Sequence, residues 1–309
     1  MHAQQGERVR RIGVLMNLAA NDPEGKARVS ALVQGLETLG WVEDRNITID
    51  YRWGAGDAGL FNRYAQELVA LAPDVILATG TPVVEALQRV TRTVPIVFVT
   101  VVDPVSSGFV DGLARPGRNA TGFTLFEYEM SGKWVEVLKN IAPPVTRAAV
   151  LRDPTIGSGI GQLAAIQAVA PSFAIELNAI GVHDADEIER GVEAFAGDPN
   201  GGMIVTASTL ALVHRNRIIA LAARHRLPTV YGDRTFVVAG GLISYGPNRV
   251  DPYRRSPAYI DRILKGEKPA GLPVQAPTRY ELVINLKTAA ALGIDVPQTL
   301  IATADEVIE

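Results

Sequence analysis

The sequence predicts an α/β protein made of two similar, doubly wound parallel-sheet lobes. At 309 residues the chain exceeds the usual size of one domain, so two hydrophobic cores are expected. Apolar runs of strand length alternate with longer segments of helical period, the pattern of parallel strands joined by crossover helices. The series then begins again partway along the chain at a nearly constant offset, as two copies of one topology would.

The first series opens with a strand from Ile12 to Met16. A helix follows from about Glu24 to Leu39, with Val29, Leu32, Val33 and Leu36 on one stripe and Gly40 placed to end it. The run NITIDYRW reads as the second strand, LFNRYAQELVALA as the second helix, DVILATG as the third strand, PVVEALQRV as the third helix and PIVFVTV as the fourth strand. The second series starts with AAVLRDP at Ala148 and continues through a helix reaching Val169, the strand FAIELNAIGV, a helix from Ala185 to Ala196, and the strand GMIVTAS. Ile12 matches Ala148, Val75 matches Met203 and Val94 matches Leu227, at offsets of about 128 to 136 residues.

Composition narrows the function classes. A 47% hydrophobic share with 20% charged residues describes a globular chain, and no apolar run reaches the roughly 18 residues of a membrane span. The net charge of -3, with acids and bases interspersed, offers no basic face for a polyphosphate backbone, so nucleic acid is not an expected partner. The chain has no cysteine, which removes disulfides and thiolate chemistry. Near the start, His2-Ala3-Gln4 fits the remnant of an Ala-x-Ala cleavage, so the chain is expected to be an exported protein whose signal peptide has been removed.

In open α/β sheets, ligands sit beyond the carboxyl ends of the strands, where helices begin. That rule nominates Asn17, Thr79, Gly80, Thr81, Val102 and Asp103 in the first lobe. In the second it nominates Arg152, Thr206, Ser208, Asp233 and Arg234. Phe123, Phe126 and Tyr245 add aromatic surface where the lobes should join, with Phe126 and Tyr128 expected in a polar loop. Several of these residue types also cap helices, and capping is compatible with ligand contact.

Other motifs carry less. Gly54-Ala55-Gly56-Asp57-Ala58-Gly59 has the form G-x-G-x-x-G but follows the second strand, not the first, so it reads as a surface turn rather than a dinucleotide fingerprint. His2, His183, His214 and His225 lack the spacing of metal ligands, and no cofactor is expected. Ser158, in TIGSGIG, is in the wrong frame for a nucleophile elbow, but its loop suits a backbone cradle for an anion at the start of the next helix. Asp103 and Asp233 sit at equivalent strand ends, yet neither has a nearby nucleophile or metal set, so catalysis is not expected.

The segments PIVFVTVVDPVSSGFV, RPGRNATGFT, GGLISYGP, RILKGEKPAGLPV and INLKTAAALGIDVP with the terminal ADEVIE resemble the tryptophan/tyrosine-binding-like family of ABC transporter substrate-binding proteins. The resemblance spans Arg11 to Glu309 and implies a type I periplasmic-binding fold with a three-crossover hinge. It implies one lobe of residues 8–120 plus 247–275 and another of 121–246 plus 276–309, with a ligand cleft closing between them. It implies a monomer in the periplasm that passes a small molecule to the membrane permease of an ABC importer. The ligand's carboxylate would fall to Thr79, Gly80, Thr81 and Asn17, and its ammonium to Asp233. Arg152-Asp153-Pro154 departs from the Asn-Pro type of loop common there, and an arginine fork favours a carboxylated ligand that need not be tryptophan or tyrosine. A ligand sensor without a transport role and an enzyme acting in the cleft stay as alternatives. A basic DNA-binding helix pair is not found in the 11 or so residues ahead of Ile12.

Overall fold

The computed structural model describes residues 9–309; the expected cleavage remnant at His2-Ala3-Gln4 lies outside them. In chain order the first elements are β1 (Arg10–Met16), α1 (Pro23–Thr38), β2 (Ile47–Trp53), α2 (Ala58–Ala70), β3 (Val75–Thr79), α3 (Thr81–Val90), β4 (Ile96–Val102) and β5 (Ala120–Phe126). Next come α4 (Lys133–Ile141), β6 (Arg147–Arg152), α5 (Gly157–Val169), β7 (Glu176–Gly181), α6 (Ala185–Ala196), β8 (Gly201–Val205), α7 (Thr209–Val213) and α8 (Arg215–Arg224). The chain ends with β9 (Thr229–Tyr231), α9 (Arg234–Val238), β10 (Ile243–Pro247), α10 (Asp251–Leu264), β11 (Tyr280–Asn285), α11 (Leu286–Leu292), α12 (Gln298–Thr303) and β12 (Glu306–Ile308).

These elements form two compact units. One runs to Leu125 and takes up the chain again at Arg249–Pro277; the other comprises Phe126–Asn248 and Thr278–Glu309.

In the first unit the sheet order is β2-β1-β3-β4-β5, and the pairings of β1 with β2 and β3, and of β3 with β4, are parallel. Both faces are covered, which is why β3 and β4 are wholly buried and read as unbroken apolar runs. Ile12, Val14 and Met16 point to the face packed by Leu32 and Leu36 of α1 and Ile260 of α10, while Leu15 points to the face of Phe61, Leu68 and Val84 from α2 and α3. Helix α1 starts where Asp22 accepts from the Glu24 amide at 2.9 Å with Pro23 in the first turn.

In the second unit the order is β12-β11-β10-β9-β8-β6-β7. Its pairings are parallel except that β11 runs against β10. That antiparallel strand departs from the all-parallel expectation: β11 follows the re-entry of the chain at Thr278, not a crossover helix of the second series. Trp134 is fully buried under the sheet, its indole N–H donating to the Tyr245 carbonyl at 2.7 Å. Phe126 also departs from expectation, since it ends β5 instead of lying in a polar loop. It is 1% exposed and meets Trp134 edge to face at 5.7 Å, because the aromatic payload is better buried there than held in solvent.

Candidate functional site

In the first unit, β1, β3 and β4 are neighbours, so their carboxyl ends bring Asn17, Gly80 with Thr81, and Asp103 to one edge of the sheet. Asn17 is buried, and its carbonyl accepts from the Gly56 amide at 2.9 Å, while Met16 accepts from Gly54. The glycine run after β2 is therefore a brace for the β1 end, and Asp57 within it caps α2 through the Leu60 amide at 2.7 Å. Gly80, at φ 82°, makes the left-handed turn from β3 into α3, and no side chain caps that helix. Thr81 is thus the first helical residue and not the cap that its place before Pro82 suggests. Asp103 leaves β4 at φ 42° and accepts from the Ser106 amide at 2.9 Å.

Thr79 and its surroundings form a buried polar cluster under that edge. The Tyr253 hydroxyl donates to the Thr79 hydroxyl at 3.0 Å, and Thr79 faces the Met16 sulfur at 3.4 Å. Arg28 lies over the Tyr253 ring at 5.7 Å and pairs with Glu24 at 3.0 Å, fully buried within α1. Burial raises the Tyr253 pKa against the opposing pull of Arg28, Thr79 and Thr100. Arg28 and Tyr253 were not nominated by the strand-end rule. The signal for Arg28 was a charged residue one turn before Leu32 on the apolar stripe of α1, where only a paired charge is tolerated. Val102 and Phe123 belong to the core as well; the Phe123 ring packs on Tyr259 at 5.1 Å under the Arg255 guanidinium.

In the second unit, β9, β8 and β6 are neighbours, and their carboxyl ends bring together Asp233, Ser208 and Arg152. Asp233 is 3% exposed and caps α9, its Oδ1 accepting from the Thr235 amide at 2.9 Å and the Thr235 hydroxyl at 2.7 Å. Ser208 caps α7 through the Ala211 amide at 3.1 Å. The buried Gln162 of α5 clasps the β8 end, accepting from the Ala207 amide at 2.8 Å while donating to the Ala207 carbonyl at 3.1 Å. Arg152 closes β6 with its Nε buried and without a hydrogen-bond partner.

Other nominated side chains are committed elsewhere. The Thr206 hydroxyl donates to the Leu151 carbonyl at 2.9 Å, which ties β8 to β6. Arg234 is ion-paired with Glu306 of β12. Tyr245 stacks on Tyr280 at 5.8 Å and lines a separate groove of about 880 Å³ with Lys133, Leu282 and Asp305. Among the described residues no three His, Cys, Asp or Glu side chains gather as a metal site would require. No helix among them is long and apolar enough to cross a membrane.

Two α/β units with mainly parallel sheets and helix starts at the strand ends define the type I periplasmic-binding fold. The chain matches the family described as ABC transporter substrate binding protein over residues 12–308, and it belongs to that family. It is 24% identical over 268 residues to the tyrosine-binding protein of Clostridioides difficile strain R20291, covering 85% of this chain and 75% of that one. Among solved structures it is similar to a Streptococcus pneumoniae ABC domain in complex with L-Trp, at TM-score 0.89 and 24% identity over 97% of this chain and 99% of that one. It is similar also to a conserved domain protein of Vibrio cholerae O1 biovar El Tor, at TM-score 0.90 and 26% identity over 97% and 100% of the two chains. The protein is thus a substrate-binding component of an ABC transporter, a family of extracytoplasmic proteins whose partners are a small-molecule ligand and a permease.

Proposed function

We propose that the protein collects a small carboxylated solute, amino-acid-like or aromatic, and delivers it unchanged to the permease of an importer. It does so as a periplasmic monomer made with a cleavable signal peptide. The family match over residues 12–308 carries the transport role. The carboxylated class is supported by the tyrosine and L-Trp for which the two relatives are known and by the polar strand ends of each unit. In the first unit, the Gly80 N–H is bonded to the Val99 carbonyl at 2.9 Å, but the uncapped start of α3 from Thr81, beside Asn17, offers leading N–H groups and a helix dipole to a carboxylate. In the second, Asp233 offers a buried carboxylate to an ammonium.

A thermal-shift panel of L-amino acids, aromatic acids, small carboxylates, sugars and polyols tests the ligand class. A ligand at 100 times its Kd adds about 2.7 kcal/mol to the folded state, a readily measured rise in Tm. The carboxylated compounds are expected to give the rise. A rise with sugars or polyols alone overturns the class.

A further inference from the structure

The groove lined by Tyr245 lies wholly within the second unit and has no part in that reading. Strands β10 and β11 run antiparallel with Tyr245 opposite Leu282, so Tyr245, Leu282 and Tyr280, two residues before Leu282, share one face of the sheet. They form the floor. The indole of the buried Trp134 anchors it by donating to the Tyr245 carbonyl at 2.7 Å, and the two tyrosine rings stack at 5.8 Å. Helix α4 supplies one wall through Lys133, Glu136, Val137 and Asn140, positions that recur on one helical face. Pro297, Thr299 and Leu300, at the start of α12, supply the other.

The hydrogen-bonding capacity of this groove is one-sided. Its carboxylates are already engaged. Glu136 accepts from the Lys133 ammonium at 2.7 Å on both oxygens, and Asp305 accepts from the Arg279 guanidinium at 2.7 Å and the Leu282 amide at 2.9 Å. In contrast, the Tyr245, Tyr280 and Thr299 hydroxyls and the Asn140 side-chain amide have no hydrogen-bond partner among the described residues. Burial, then Tyr245 and Glu127, raises the Tyr280 pKa, which keeps that phenol a donor. Lys139, which gives one N–H to the Val145 carbonyl at 2.8 Å, adds to the same side of the balance. Donors over an aromatic and aliphatic floor suit a chain that has carbonyls to offer, few N–H groups and compact apolar side chains. Proline has that character: it lacks the N–H, and the polyproline helix makes no internal hydrogen bonds, so its carbonyls are free to accept. Aromatic-lined grooves recur as receptors for such segments.

We propose that this groove docks a proline-rich segment of a partner protein, held in the left-handed polyproline form. Its pyrrolidine rings pack on Tyr245, Tyr280 and Leu282, and its carbonyls accept from the two phenols and the Asn140 amide. The surface is independent of the solute class proposed above.

Aromatic NMR of the full chain with acetyl-decaproline-amide tests it, against an acetylated and amidated Gly-Ser repeat of the same length. The proline peptide is expected to shift the Tyr245 and Tyr280 ring resonances saturably, and the Gly-Ser peptide to leave them in place. Tyr280→Phe keeps the ring and discards the donor, and Asn140→Ala changes an exposed position. Each is expected to weaken decaproline binding by about three- to tenfold. Rings of the unmodified protein that decaproline does not move, a readout that needs no variant to fold, overturn the proposal. An equal response to both peptides does so too, as does a response to N-acetyl-L-tyrosinamide where decaproline gives none. Undiminished decaproline affinity in both variants also overturns it.

Discussion

Asp233 has one observed task and one proposed here, and a single substitution confuses them. Its Oδ1 caps α9, and removing a cap costs about 0.5–2 kcal/mol of stability whatever the ligand. A carboxylate facing a buried ammonium contributes separately, about 2–5 kcal/mol when one partner is truncated. Asp233→Asn keeps a capping oxygen and discards the charge. It is expected to melt close to the parent protein yet lose about 2–5 kcal/mol of affinity for an amino-acid ligand, and none for the analogue lacking the ammonium. Equal losses for both ligands, by calorimetry, would show that Asp233 is structural.

Residue-level commitments were the least legible part of the sequence. That Thr206, Asp233 and Arg234 follow strands was readable from local pattern. That Thr206 is spent on Leu151, or Arg234 on Glu306, was not, because those partners lie 55 and 72 residues away. Local periodicity holds no information on such pairs. Arg28 is the opposite case: its position on the apolar stripe was visible, and only its partner Tyr253, in α10, required the fold.

At the scale of elements, the contact of β5 with β4 depends on one glycine. A Cβ on Gly122 would stand 1.9 Å from the Phe98 carbonyl and 2.7 Å from its amide nitrogen, so the two backbones leave no room for a side chain. Gly122→Ala is expected to destabilise the protein by about 1–3 kcal/mol or more, read as a lower urea midpoint with an unchanged slope.

The junction of α7 and α8 gives a pH dependence. Burial first, then Arg217, lowers the His214 pKa from its ordinary 6.5, with Asp184 opposing. The start of α8 also disfavours a proton there. The folded state thus prefers the neutral ring. Its contribution is fully present above pH 6.5 and is lost as pH falls through the lower folded value. His214→Gln is expected to flatten that part of the stability profile between pH 7 and pH 5, measured by urea denaturation. An unchanged slope would place the acid sensitivity elsewhere.

The strands and helices themselves were legible because buried parallel strands are long apolar runs and amphipathic helices have a clear period. The direction of β11 was not, since an apolar run such as YELVIN reads the same whether its neighbour is parallel or antiparallel.

For the whole molecule, the repeat at a constant offset was the strongest sequence signal, because it implies two units of one topology before any site is located. The observed division of the chain, with Arg249–Pro277 returning to the first unit, joins the two units by three passages of chain. We propose the strand ends at Thr81 and Asp233 for the ligand, whereas Thr206 and Arg234 are already spent on the fold. A binding protein needs only the former, whereas an enzyme needs in addition a nucleophile, metal or cofactor.

The most direct test of that distinction is titration calorimetry with the acid giving the largest thermal shift, followed by denaturation and mass spectrometry of the released compound. Saturation at about one molecule per chain is expected, with recovery of the ligand at unchanged mass. Heat from no carboxylated compound, or a released product of different mass, would contradict it.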